Sequence, residues 1–171
     1  MTHFASYWHE PTRISIMAPV GWEVEDIEPT AFRFYSPPDE ANDDYRSSIS
    51  YALHAPEGGT AAWLTEFAAA SRDNMAATYN GFRLLNESRV MSSDFADVAL
   101  RWYEWNDEAT GLAFSQVQGL ILADPQSIYL ADAATLQGTA DVYIPIFDSI
   151  IASTRIIPRR WSGAGATRDS W

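Results

Sequence analysis

The sequence predicts an α+β fold, an antiparallel β-sheet meander covered by helices on both faces. Three observations carry that prediction. First, residues 97–105 (DVALRWYEW), 112–123 (LAFSQVQGLILA) and 127–133 (SIYLADA) read as successive strands, joined by the short turns 106–111 (NDEATG) and 124–126 (DPQ). Connections that short join antiparallel neighbours, because a parallel return needs a crossover of about a dozen residues. Second, both faces of these strands are partly apolar. Val98, Leu100 and Trp102 fall on one side and Ala99, Arg101, Tyr103 and Trp105 on the other, while Phe114, Leu120 and Leu122 oppose Val117 and Ile121. A sheet apolar on both sides needs a cover on each. Third, two stretches carry helical periodicity and supply the covers. One is 61–79; the other places Tyr143, Ile146, Phe147, Ile150 and Ile151 at i, i+3, i+4, i+7 and i+8.

Residues 1–12 hold Phe4, Tyr7, Trp8 and His9 without periodicity and read as an N-terminal arm, either loose or packing its aromatics on the domain. Residues 13–18 (RISIMA) alternate Ile14 and Ile16 with polar neighbours, as a half-buried strand does. Pro19-Val20-Gly21-Trp22 breaks that strand, since Pro removes a ladder donor and Gly permits a tight bend. Residues 31–35 (AFRFY) and 47–54 (SSISYALH) are strands expected to pair across the acidic loop 36–45. Thr60 is expected to cap the helix 61–79, whose Leu64, Phe67, Ala68, Ser71 and Met75 form one narrow face. Asn80-Gly81 stops it, and 82–91 (FRLLNESRVM) returns to strand. In the last helix Pro145 is expected in the first turn, where its missing N–H costs least. Residues 13–157 therefore read as a single domain, and 158–171, which lack an apolar period, as a mobile C-terminal tail.

A chain of 171 residues is long enough for one domain with a sizeable core and no covalent staples. It has no cysteine, which excludes disulfides, thiolate metal sites and a cysteine nucleophile and fits a reducing, cytoplasmic setting. The N-terminus has neither the basic start nor the apolar run of a signal peptide or lipoprotein leader. No apolar stretch approaches the ~20 residues of a membrane span. The net charge is −12, lysine is absent, and from Arg155 onward four arginines face a single acid, Asp169. A body so acidic repels phosphate backbones, so no nucleic-acid partner is expected. Arginine without lysine points to a GC-rich bacterial source.

Several features together carry a resemblance. They are a strand leading into Ala18-Pro19-Val20-Gly21-Trp22; a second with Phe32 and Phe34; a helix around Trp63 and Phe67; the strand from Phe82; the meander; and the closing run from Ile146 through Asp148, Ser149 and Ser153 to Arg155. Over about residues 13–157 the chain resembles the PsbP-like fold. That fold is shared by photosystem extrinsic subunits, a Ran-binding nuclear-import factor, LpqN-type mycobacterial lipoproteins, DcrB-like proteins and some secretion-effector chaperones. The resemblance implies an α/β/α sandwich and proteins that mostly bind partners or assist assemblies rather than catalyse. It brings no set of catalytic residues, and the lipoprotein leader of the LpqN type is missing from this sequence.

No motif contradicts a non-enzymatic role. Asp39, Glu40, Asn42, Asp43 and Asp44 lack the spacing of a calcium loop and read as a solvated loop. His3, His9 and His54 offer no metal-binding pair, so neither metal nor cofactor is expected. There is no G-x-S-x-G elbow, and Gly58-Gly59-Thr60 lacks the lysine of a phosphate loop. Glu104 and Asp132, with Trp102 nearby, could form the carboxylate pair of a hydrolase with His54 at hand, but charges on strands more simply point to water. The distinctive feature is aromatic. Trp22, Trp63, Trp102, Tyr103 and Trp105 are core residues, or else a partner-binding surface left incompletely covered. The reading is a protein-binding accessory or chaperone-like module that uses an aromatic sheet face. A carrier of an apolar small molecule or lipid is the alternative, and a homodimer through the open side of the sheet is left open.

Overall fold

The computed structural model describes residues 2–40, 45–54, 61–92, 95–124 and 127–157. The elements follow one another as β1 (Phe4–His9), β2 (Ile14–Pro19), β3 (Glu23–Glu28), β4 (Ala31–Tyr35), β5 (Ser48–His54), α1 (Ala61–Thr78), β6 (Asn80–Ser92), β7 (Phe95–Asp107), β8 (Leu112–Asp124), β9 (Ser127–Leu136), α2 (Ala140–Ala152) and β10 (Arg155–Ile156). Seven strands form one sheet in the order β3-β4-β5-β9-β8-β7-β6, and β1-β2-β10 form a second. All the pairings are antiparallel. The fold is α+β, with the meander β7-β8-β9 inside the large sheet and β4 paired to β5 as the sequence predicts.

The first residues take the packed form of the two expected: they contribute β1, paired with β2 along its length, and Tyr7 lies 5.5 Å from Phe32 and 4.8 Å from Phe34, ring to ring. Two features depart from the sequence reading. An extra strand, β3, reads EVEDIE and is exposed at every position, so it carries no burial pattern for a sequence to reveal; as an edge strand its acids also discourage pairing with other chains. Finally, α2 begins at Ala140 after a 3-10 turn at Gln137–Thr139, which places Pro145 inside the helix rather than in its first turn. Pro145 and Asp141 are both exposed, so the carbonyl that loses its partner faces water. The loop residues Asn42, Asp43 and Asp44, the glycines before Thr60, Thr60 itself and the tail 158–171 lie outside the described residues.

Two apolar clusters fix the packing. Leu64 and Ala68 of α1 lie with Ala99, Leu120, Leu122 and Ile128. Tyr143, Ile144, Phe147, Ile150 and Ile151 of α2 lie with Val98, Val117, Ile121, Ala131 and Ala133, and with Ile14 and Ile16 of the small sheet. Along β8 the two sets fall at alternate positions, which is the period of a pleated strand. Phe67, expected on the buried face of α1, is exposed instead and stacks on Trp63 at 4.9 Å.

Gly81 ends the α1 segment with φ +64°, and a Cβ there would collide with the side-chain amide of Asn106. Gly81→Ala is expected to cost about 1–2 kcal/mol, from the left-handed backbone and the crowding together, read as a lower urea midpoint with an unchanged m-value.

Candidate functional site

Where α2 crosses the sheet, Gly119 of β8 lets it come close: a Cβ there would stand 3.7 Å from Ile151 Cγ2 and 3.3 Å from Leu100 Cδ2. Beyond that crossing α2 does not reach the strands nearest the β6 edge, and a cavity of about 550 Å³ opens between them. Its floor is Val98, Leu100 and Trp102 of β7 with Val117 and Ile121 of β8, and its wall is Ile144 and Ile151 of α2. Asn86 and Ser88 of β6 border one side, Asp148 and Arg155 the other. The floor follows from register, because Asn86, Trp102 and Val117 are direct cross-strand partners, and so are Ser88, Leu100 and Gly119.

The floor of the trough is apolar, and its rim is polar. Trp102 Nε1 is shielded from solvent and has no hydrogen-bond partner. A buried N–H without an acceptor costs about 1–3 kcal/mol, so this donor favours whatever brings it an oxygen. Partial desolvation raises the Asp148 carboxyl above its ordinary range. Arg155 donates to the carbonyls of Ala152 and Thr154, which ties it to the end of α2.

The five aromatic residues singled out by sequence do not form one surface. Trp102 lies in the trough. Trp22 packs edge-on against Phe147, 6.2 Å between centroids, beside the main apolar cluster. Trp63 stacks on Phe67 along α1. Tyr103 and Trp105 fall on the alternate side of β7, where Tyr79 stacks on Trp105 at 4.6 Å and on Tyr103 at 6.5 Å. Trp105 Nε1 already donates to Gln116 Oε1 at 2.5 Å. Burial pushes the Tyr103 phenol far above its ordinary range.

That second side of the sheet carries a feature the sequence reading missed. Glu25, Arg33, Ser50, Asp132, Gln118, Arg101 and Glu87 are successive cross-strand partners, a polar row spanning all seven strands. Arg101 is 3 % exposed; its Nη2 donates to the Ala68 carbonyl of α1 at 2.7 Å, and its Nε lies 3.8 Å from Glu87. Arg101 Nη1, Gln118 Oε1 and Asp132 Oδ1 are all shielded and without hydrogen-bond partners. Asp132 is half-buried, and desolvation pushes its carboxyl up to about 6, against a smaller downward pull from Arg33.

Glu104 is the partner of Ser115, and its Oε1 accepts from Ser115 Oγ at 3.2 Å; Arg83 also bonds it. This row alternates with the row of Asp132, so the two carboxylates project from opposite faces of the pleat and do not make a catalytic pair. His54 is exposed.

No protein-family model matches the chain, and no curated protein matches it. Solved structures do. The chain is similar to the cyanobacterial PsbP (CyanoP) of Synechocystis sp. PCC 6803, 12% identical over 92% of this chain and 94% of that one, with a TM-score of 0.66. It is similar to LpqN of Mycobacterium tuberculosis, involved in cell envelope biogenesis, 14% identical over 92% of each chain, TM-score 0.65. It is similar also to the Saccharomyces cerevisiae Ran-binding protein Mog1p, 10% identical over 91% of this chain and 96% of that one, TM-score 0.61. Identities this low carry the fold and no more. Element order, sheet topology and near-complete mutual coverage give the chain the PsbP-like fold.

Proposed function

We propose that this protein is a non-enzymatic accessory module whose trough between α2 and the β6–β7 strands holds an apolar segment of a protein partner. The observations that carry the reading are the apolar floor of the trough and, on a residue of that floor, a shielded indole N–H without an acceptor. A polypeptide supplies both things the trough lacks, apolar side chains for the floor and a backbone carbonyl for the indole. β6 is an edge strand, so its outer backbone groups adjoin the same opening. In this reading α1 and α2 clasp the large sheet from opposite sides, and the trough is the part of the α2 side left uncovered. Proteins of this fold that bind or assist others make such a role natural, and the absence of cysteine fits a reducing cytoplasmic setting.

The test is photo-crosslinking in the native host, with a benzophenone amino acid at Asn86 on the trough rim or at the exposed Val20. Adducts carrying peptide mass are expected from position 86 and not from position 20. With the probe kept at position 86, Ser88→Trp, which fills the opening beside it, is expected to cut the adduct yield about tenfold, as a loss of about 1.4 kcal/mol would. No adduct, or equal adducts from both positions, contradicts the proposal. The trough volume also falls in the range of small-molecule pockets, about 300–1,000 Å³, so an apolar ligand is the second reading. Native mass spectrometry that finds a retained small mass, with no peptide adduct, selects it.

A further inference from the structure

We infer that Asp132 and Gln118 form a second site, on the side of the sheet away from the trough, that binds a primary ammonium group. Both residues sit on central strands as direct cross-strand partners, and each has a shielded oxygen without a donor, Asp132 Oδ1 and Gln118 Oε1. Side chains at directly opposed positions stand about 5 Å apart at Cβ, a span that one N–H-rich cation bridges. The row holds two guanidiniums, Arg33 and Arg101; Glu87 at its end pairs with Arg72 at 3.2 Å, while Asp132 Oδ1 has no partner.

Neither arginine meets that need. Arg101 is engaged with Ala68 and Glu87. Arg33 donates to Tyr35 Oη at 3.2 Å and lies over the Tyr35 ring. The other groups facing Asp132 are phenols, Tyr45, Tyr79 and Tyr103, whose rings all feel its charge and whose hydroxyls burial keeps protonated. A carboxylate and an amide oxygen side by side make a chemistry that suits a primary ammonium, whose N–H groups hydrogen-bond to both. An anion meets two acceptors instead. The acidic body raises the local concentration of any cation.

The test follows the Asp132 carboxyl carbon by NMR through a pH titration at matched ionic strength, in sodium, methylammonium or tetramethylammonium chloride. In sodium the midpoint is expected near 6. Methylammonium is expected to lower it by about one pH unit, a tenfold weaker hold on the proton, because the bound cation favours the carboxylate. Tetramethylammonium, which has no N–H, is expected to leave it unchanged. The methylammonium-dependent shift of the Gln118 side-chain amide is expected to vanish in Asp132→Asn. Equal effects of the two ammonium ions, no effect of either, or a Gln118 shift that survives in Asp132→Asn overturns the inference. The trough on the other side plays no part in these readouts.

Discussion

Phe147→Ala is expected to remove about 3–5 kcal/mol of folding stability, enough to threaten the native state of a domain this size. Phe147 is fully buried in the cluster that joins α2 to the large and small sheets, and its ring meets Trp22 edge-on and Tyr143 at 6.3 Å. Truncation leaves a cavity at a point where three layers meet, so collapse around it is restricted. Urea unfolding followed by tryptophan fluorescence reads the loss. Val142→Ala, five residues earlier on the same helix at a position 54 % exposed, is expected to stay within about 0.5 kcal/mol. Similar small losses at both positions mean that α2 does not dock through this face.

Asp132→Asn is expected to do the opposite and stabilise the protein at neutral pH by about 1–3 kcal/mol, the lower part of that range reflecting the partial exposure of the side chain. The sign follows from linkage. The folded carboxyl titrates near 6 against an ordinary value of 3.8, so the folded state holds its proton more tightly than the unfolded chain. The resulting penalty is absent below about pH 4, grows between about 4 and 6, and is complete above that. The advantage of Asn is therefore expected to shrink on acidification and to disappear near pH 4. A pH-independent difference, or a loss of stability at neutral pH, means that Asp132 is satisfied in the native state.

The alternation in 97–105 was readable residue by residue, and the structure keeps it: Val98, Leu100 and Trp102 share one side, Ala99, Arg101, Tyr103 and Trp105 the other. Strong periods survive because burial enforces them. The strand EVEDIE has no such period, and neither do the first residues of α2, so both escaped. The polar row from Glu25 to Glu87 was illegible for a different reason. It exists only in the registers of six strand pairs, and a slip of one residue in any of them would scatter it. Trp102 was singled out from sequence, but its isolation from Tyr103 and Trp105 in a trough of its own depends on where α2 stops covering the sheet. Gly119 sets that crossing, and in the sequence it is one glycine in a strand.

The most direct measurement is the indole N–H resonance of Trp102, observed in protein labelled with 15N at tryptophan, as the crosslinked partner segment is added as a synthetic peptide. A downfield shift of Trp102, with Trp105 unmoved because it already bonds Gln116, is the predicted result. A Trp102 resonance that stays fixed while the peptide binds would contradict the trough as the binding site.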